Sequence, residues 1–426
     1  MIDRFRRIIK SKVFKNGIWL TVLQIVNTVI PVVTIPYITR MLGSSEYGVF
    51  SIALNWVIYF QVLVEFGFGL SGARKVALLK ESEQDKLNVL YNNIISSRII
   101  LFTISFFGLN IVALISGFDL KMYLSMLILF TMIVGTTFQL TWLFQGKQDM
   151  KFITIINVIS RAISVLLVFL LVKDSNDLYL YCFLYSVTLL LSSIISIIIA
   201  HKKYGLKFKF SNIIEIKKEI NDGKHLFASS AMAKIFNGFG ITVLGIISTT
   251  SLTGIYSAIY KIPYVLTMFF SPVSQAIYPY NSSLFKDGFE KGINNIKSIC
   301  IPIFLFFLIP SIIIIVFRNF IVNLLFGSEY SNYSIIVIPL VFQFLFAIIN
   351  NFLGIQILVA SGNQGKYTKS LLIGCLAIVI CNFCFGKLFG IYGIAIASIT
   401  SEIILSISLY LNYKKIKGGH YAKDNN

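Results

Sequence analysis

HKKYGLKFKFSNIIEIKKEINDGKH, His201–His225, is the one long polar run in the middle of an otherwise apolar chain. It carries seven lysines (Lys202, Lys203, Lys207, Lys209, Lys217, Lys218, Lys224) against three acids (Glu215, Glu219, Asp222). A lysine at the centre of a bilayer costs about 2.5–3.5 kcal/mol, so seven in one run keep it out of lipid. The run is expected to be a solvated linker, with surface-lying amphipathic character in IIEIKKEI. It has 200 residues before it and 201 after it. Each flank divides into six apolar runs, so the position of this stretch splits the chain into halves.

Composition supports that division. Mean hydropathy is +0.81. Hydrophobic residues make up 56% and charged residues 13%, about half the charged share of a soluble protein. A soluble chain of 426 residues would need far more polar surface, so the fold class is an all-α, multi-pass membrane protein. The net charge of +19 would suggest nucleic acid in a soluble protein. Here it gathers in loops on one face, as the positive-inside rule requires, and no nucleic-acid partner is expected.

The spans read as 17–37, 47–71, 91–115, 121–144, 152–172, 178–200, 225–247, 253–278, 298–317, 334–359, 368–389 and 391–413. About 20 residues rising 1.5 Å each cross the ~30 Å hydrocarbon core. Helices are required because every backbone group must be satisfied within its own segment. The basic start, MIDRFRRIIKSKVFKN, leads into a long apolar run with no small-residue cleavage site, which reads as an uncleaved first helix. With that start in the cytoplasm, 28 of the 37 lysines and arginines fall on the inner side. Five fall on the outer side, in loops or at span ends (Arg40, Lys121, Lys173, Arg318, Lys387), and four deep within spans (Arg98, Arg161, Lys234, Lys261). Both termini and the central stretch are therefore expected to be cytoplasmic.

Six helices per half is an even number, so residues 1–200 and 225–426, joined by a basic linker at 201–224, enter the membrane the same way. Traces of a repeat survive. GVFSIA (Gly48–Ala53) opens the second span and GIYSAI (Gly254–Ile259) opens the eighth, 206 residues later. QGKQDMKF (Gln145–Phe152) follows the fourth span, and SGNQGKY (Ser361–Tyr367) follows the tenth. Six of the eight prolines (Pro263, Pro272, Pro279, Pro302, Pro310, Pro339) lie in the second half, which concentrates helix bending there.

Enzyme chemistry finds little support. The five cysteines all lie in apolar runs, and Cys381 and Cys384 form a CxxC inside a span, where small packing residues are the ordinary reading. The three histidines lie in loops or the tail, so no metal-ligand cluster appears. There is no Walker A motif and no Ser–His–Asp arrangement, and no cofactor is expected.

Four stretches in order carry a resemblance. IPYITRMLGSSEYGVFSIALNWVIYF (35–60), WLFQGKQDMKFITIINVISR (142–161), TGIYSAIYKIPYVL with SPVSQAIYP (253–279), and LLFGSEYSNYS (324–334) resemble the Wzx-type polysaccharide flippases. These belong to the multidrug/oligosaccharidyl-lipid/polysaccharide (MOP) exporter superfamily. The resemblance covers nearly the whole chain. It implies two six-helix lobes around a central cavity in a bacterial plasma membrane. It also implies movement of an undecaprenyl-diphosphate-linked oligosaccharide, an O-antigen or capsule repeat unit, from the inner to the outer leaflet. Polymerase and chain-length proteins of the same pathway are the further partners it suggests. The lipid II flippases resemble this chain but usually have two more C-terminal helices. The drug-exporting branch usually carries an acid in its first helix, and the first span here has none.

An anionic lipid diphosphate needs cations at the midplane. Arg161 and Lys234 lie nine residues, and Lys261 eight residues, from their span starts, or about 12–14 Å deep. With the shallower Arg98, they are the candidates for holding the diphosphate. Structural pairing or snorkelling is the alternative for each. The two embedded carboxylates are Glu65, suited to pair with Arg98 or Arg74, and Glu402, suited either to carry a proton or to neutralise an embedded cation. Tyr256 and Tyr260 are candidates for stacking on sugar rings. A small-molecule exporter of the same architecture would need a cavity lined by carboxylates. A membrane-embedded glycan polymerase would need a large outer loop, and the longest here, Arg318–Tyr333, has 16 residues.

Overall fold

The computed structural model describes residues 12–424, so most of the basic N-terminal run lies outside the described residues. Every regular element among the described residues is helical. In order they are α1 (Lys12–Glu65), α2 (Phe68–Leu78), α3 (Gln84–Ser116), α4 (Leu120–Phe138), α5 (Thr141–Gly146), α6 (Met150–Leu171) and α7 (Leu178–Tyr204). Then come α8 (Ile213–Ile247), α9 (Thr250–Asp287), α10 (Phe289–Val316), α11 (Arg318–Phe326), α12 (Ser328–Ser331), α13 (Val337–Asn351) and α14 (Gln364–Asp424).

Nine helices among the described residues are long and apolar enough to cross a membrane. Two of these each hold a pair of the spans read from the sequence. α1 breaks at Gly43 (φ 74, ψ 173) and α14 at Gly390 (φ 57, ψ −131). Those backbone angles lie in regions open essentially to glycine alone, so each glycine lets the chain reverse within one or two residues. The span 253–278 falls on α9, which is not among the nine. It carries Pro263, Pro272 and Pro279. The protein is a multi-pass, all-α membrane protein.

The chain divides into two compact units. One is Met1–Thr34 with Ile52–Lys234, and the other is Ile35–Ser51 with Ile235–Asn426. In the first unit α4 packs most extensively on α7. The contact is close because it is made by small residues, as membrane helices require in the absence of a hydrophobic drive between them. A Cβ on Gly135 would lie 2.5 Å from the Leu189 carbonyl carbon, and Ser186, Ser192, Ser193 and Ser196 are buried along α7. The second unit is built on a cluster of α9, α10 and α13 that includes Phe270, Ile293, Phe307, Phe344 and Ile348. The Phe270 and Phe307 rings meet edge to face at 5.6 Å, the orientation favoured by ring quadrupoles. α13 runs directly into a π-helical segment, Phe352–Val359.

The central polar stretch belongs to the first unit. α7 ends at Tyr204, Gly205 turns the chain out of the helix, and α8 begins at Ile213. α8 then continues without a break from IIEIKKEI into the apolar span. The Lys75 amine on α2 reaches both Glu219 (2.8 Å) and Asp222 (2.9 Å) of α8, and Glu219 is buried. A buried carboxylate that loses its cation is costly. Lys75→Met is therefore expected to loosen the first turns of α8. Hydrogen exchange should accelerate in peptides covering 213–224 and stay unchanged in those covering α4; unaltered exchange at 213–224 would mean the bridge holds nothing.

In the turn between α2 and α3, the Lys86 amine and the Lys80 N–H hold the Glu83 carboxyl below the usual carboxylate range.

Candidate functional site

Polar and charged groups inside the spans gather in two places, one in each unit. In the first unit Glu65, at the end of α1, lies within the field of Arg98 on α3 and Lys234 on α8. Three of the residues singled out in the sequence thus share one neighbourhood, although they stand far apart along the chain. Their circumstances differ. Lys234 and Glu65 are exposed and Arg98 is buried.

Arg98 is committed to backbone. One guanidinium nitrogen donates to the carbonyls of Thr136 (3.2 Å), Thr137 (3.5 Å) and Gln139 (2.8 Å). These are carbonyls at the C-terminal end of α4, where the ladder stops before α5. Such orphaned carbonyls need donors, and a cation there also complements the helix dipole. Thr136 in turn accepts from Gln61 (3.0 Å), and Gln139 donates to Ser192 (3.0 Å), so the break is tied to α1 and α7. The Lys234 amine makes no hydrogen bond among the described residues, and its charge acts on Glu65. Arg161 is half-buried on α6. A cleft of about 450 Å³ on this unit, lined by Lys75, Asp85, Glu215 and Asp222 among others, contains none of the candidates.

In the second unit Glu402 on α14 is buried, and its carboxylate accepts from the Asn350 side chain at 2.6 Å. Asn350 also donates to the Glu402 carbonyl (3.0 Å) and accepts from Ser406 (2.6 Å). The charge of Glu402 reaches Tyr260. Tyr260 is the middle rung of a ladder along α9. Its ring stacks on Tyr256 at 6.1 Å and on Tyr264 at 6.3 Å. The ladder runs from buried Tyr256, whose hydroxyl meets that of Ser398 at 3.3 Å, to exposed Tyr264. Lys261 sits over the Tyr264 ring at 5.5 Å, a cation–π distance. Of the tyrosines proposed to meet sugars, Tyr256 is enclosed by protein and Tyr260 is half-buried.

A second network was not singled out in the sequence. Asn281 donates to Gln356 (2.8 Å) and accepts from Asn295 (2.6 Å). Gln356 donates to the Ser274 carbonyl and hydroxyl (2.9 and 3.1 Å), and Ser274 donates to Asn351 (2.7 Å). It joins α9, α10, the end of α13 and the π-helical segment. The signal in the sequence was amides inside apolar runs, as in Asn350, Asn351 and Gln356.

The comparisons with known proteins agree with this architecture. A protein of Escherichia coli (strain K12) named as an O-antigen transporter is 28% identical over 399 residues, covering 93% of this chain and 95% of that protein. Two solved structures share the fold. The lipid II flippase MurJ, in an inward closed conformation, has a TM-score of 0.69 at 18% identity over 94% of this chain and 87% of its own. An inward-facing multidrug resistance MATE family transporter of the MOP superfamily has a TM-score of 0.67 at 13% identity over 93% of this chain and 99% of its own. At those identities the two structures establish the fold alone. The model of the family described as "Polysaccharide biosynthesis protein" matches residues 13–285, more than half of the chain, and the chain belongs to that family.

Proposed function

We propose that this chain is a flippase that carries an undecaprenyl-diphosphate-linked oligosaccharide, an O-antigen or capsule repeat unit, from the inner to the outer leaflet of a bacterial plasma membrane. The observation that carries the reading is the end-to-end match with a chain named as an O-antigen transporter. The sign of the embedded charge supports it. Four cations stand deep in the spans against two carboxylates, and one of those carboxylates, Glu402, is already held by Asn350. An exporter of cationic drugs would need the opposite balance.

In this reading Arg161, Lys234 and Lys261 meet the diphosphate, while Arg98 holds the break between α4 and α5 that keeps neighbouring groups in place. Two six-helix lobes, 1–200 and 225–426, are joined by the cytoplasmic stretch 201–224, with both termini on the same side. Polymerase and chain-length proteins of the same pathway are the expected partners. Cells lacking the chain should lose surface polysaccharide and accumulate the lipid-linked repeat unit, with drug sensitivity unchanged. Normal polysaccharide with heightened drug sensitivity would favour the exporter instead.

Glu402 tests the coupling. Glu402→Gln keeps an acceptor for Asn350, so the protein should remain folded and inserted. If the carboxylate carries a proton during the cycle, transport should fall sharply. Full complementation by Glu402→Gln would remove it from the mechanism.

A further inference from the structure

The segment between α7 and α8 is laid along α3 in a fixed register. The Lys207 N–H donates to Asn88, that of Lys209 to Asn92 and that of Ser211 to Ser96, each at 3.0 Å. The pins are two residues apart on the segment and four apart on the helix. Four helical residues rise about 6.0 Å, and two residues of extended chain span about 6.6–6.8 Å. The segment therefore runs extended, with its alternate N–H groups spent on α3. Successive side chains of an extended chain point to opposite faces. Lys207 and Lys209 share one face, and Phe208 and Phe210 the other.

Both phenylalanines are exposed, at 47% and 53%, and their rings meet edge to face at 6.5 Å. Ile213 and Ile214 follow at 53% and 68%. Exposed apolar groups of this size, set among lysines, need a partner. The segment starts within a few residues of the end of the apolar span on α7, so it lies at the membrane surface. The charge around it is positive. Lys202, Lys207, Lys209, Lys217 and Lys218 are exposed. Lys203 is taken up by Asp149, and Glu219 and Asp222 by Lys75, leaving Glu215 and, at the start of α3, Asp85 as exposed acids nearby against five exposed lysines.

We propose that residues 205–214 dock on anionic phospholipid of the bilayer in which the protein sits. Phe208 and Phe210, with Ile213 and Ile214, enter the boundary between headgroups and acyl chains. Lys207 and Lys209, on the face turned away from the acyl chains, attract the anionic headgroups through the field of the surface without inserting. Pinning by Asn88, Asn92 and Ser96 keeps the amphipathic segment from turning over. Apolar insertion and lysine attraction act together in such anchors, and neither alone holds firmly. The segment thus fastens the first unit to the lipid surface.

The test uses the full chain with p-benzoylphenylalanine placed singly at Lys207, Phe208, Lys209 or Phe210. The protein is reconstituted in nanodiscs of phosphatidylcholine, with or without phosphatidylglycerol, irradiated, and weighed by mass spectrometry. Phospholipid adducts should form at Phe208 and Phe210 and be scarce at Lys207 and Lys209. Omitting phosphatidylglycerol should cut the adducts at least about fivefold, the factor for the loss of a single lysine's attraction to the surface. Equal yields at all four positions, protein–protein adducts at the phenylalanines, or yields indifferent to phosphatidylglycerol would each overturn the proposal.

Discussion

Lys234→Gln and Lys261→Gln are each expected to abolish or sharply reduce surface polysaccharide while the protein stays in the membrane at normal abundance. A diphosphate entering low dielectric without compensation pays far more than any single contact returns. The inside-negative potential favours its outward passage by about 2.3 kcal/mol per charge per 100 mV, but that does not remove the desolvation cost. A charge-assisted hydrogen bond contributes about 1.5–3 kcal/mol, so losing one slows a limiting step roughly 10- to 100-fold. The surroundings of the two lysines suit this role. Lys234 is exposed and its charge acts on Glu65, and Lys261 stands over Tyr264 at 5.5 Å. Lys→Arg should retain much of the activity, because at these sites charge counts for more than shape. If the lysines serve only structural pairing, the Gln variants will lose abundance, and Glu65→Gln will restore Lys234→Gln.

The second large effect is expected at a helix crossing. Gly254→Val should sharply reduce folded protein, whereas Gly365→Ala, with open space around it, should not. A Cβ on Gly254 would lie 2.0 Å from the Ser44 carbonyl oxygen and 2.8 Å from the Gly48 nitrogen. A Cβ on Gly48 would lie 1.8 Å from the Thr250 oxygen. Backbone atoms cannot rotate out of the way, so the cost should reach or exceed the usual overpacking range of about 1–3 kcal/mol. Size-exclusion profiles after a heat step would show it; an unchanged profile for Gly254→Val would mean the two helices can separate at no cost.

The same crossing explains how much of the fold could be read from the sequence. Under the 206-residue shift between GVFSIA and GIYSAI, Ser44 corresponds to Thr250 and Ser45 to Ser251. In the structure Ser44 meets Ser251 (2.7 Å) and Ser45 meets Thr250 (3.2 Å). Each partner is exchanged for its counterpart, as at an interface with twofold symmetry. The repeat was legible because close packing at that point leaves room only for glycine and small hydroxyls. The spans were legible from length and hydropathy. α9 stood at the edge of that signal because its prolines, tyrosines and amides serve packing and polar networks rather than lipid.

Other features had no local signature. The pinning of Lys207, Lys209 and Ser211 on α3 joins residues more than a hundred positions apart. The hold of Asn350 on Glu402 crosses 52 positions. The embedded charges stood out one by one, yet only the fold shows that Arg98 spends one guanidinium nitrogen on carbonyls and that the Lys234 amine does not. A lone cation in an apolar run states its cost and not its partner.

The most direct measurement is translocation in liposomes by the purified chain. A polyprenyl-diphosphate-linked oligosaccharide bearing a fluorescent sugar is placed in both leaflets, and a membrane-impermeant quencher is added outside. Without protein the quencher should reach only the outer-leaflet pool. With the wild-type chain nearly all of the label should become reachable, and with Lys234→Gln or Lys261→Gln the outcome should resemble protein-free vesicles. Quenching confined to the outer-leaflet pool with correctly folded wild-type protein, or complete quenching by both lysine variants, would contradict transport of a lipid diphosphate past these cations.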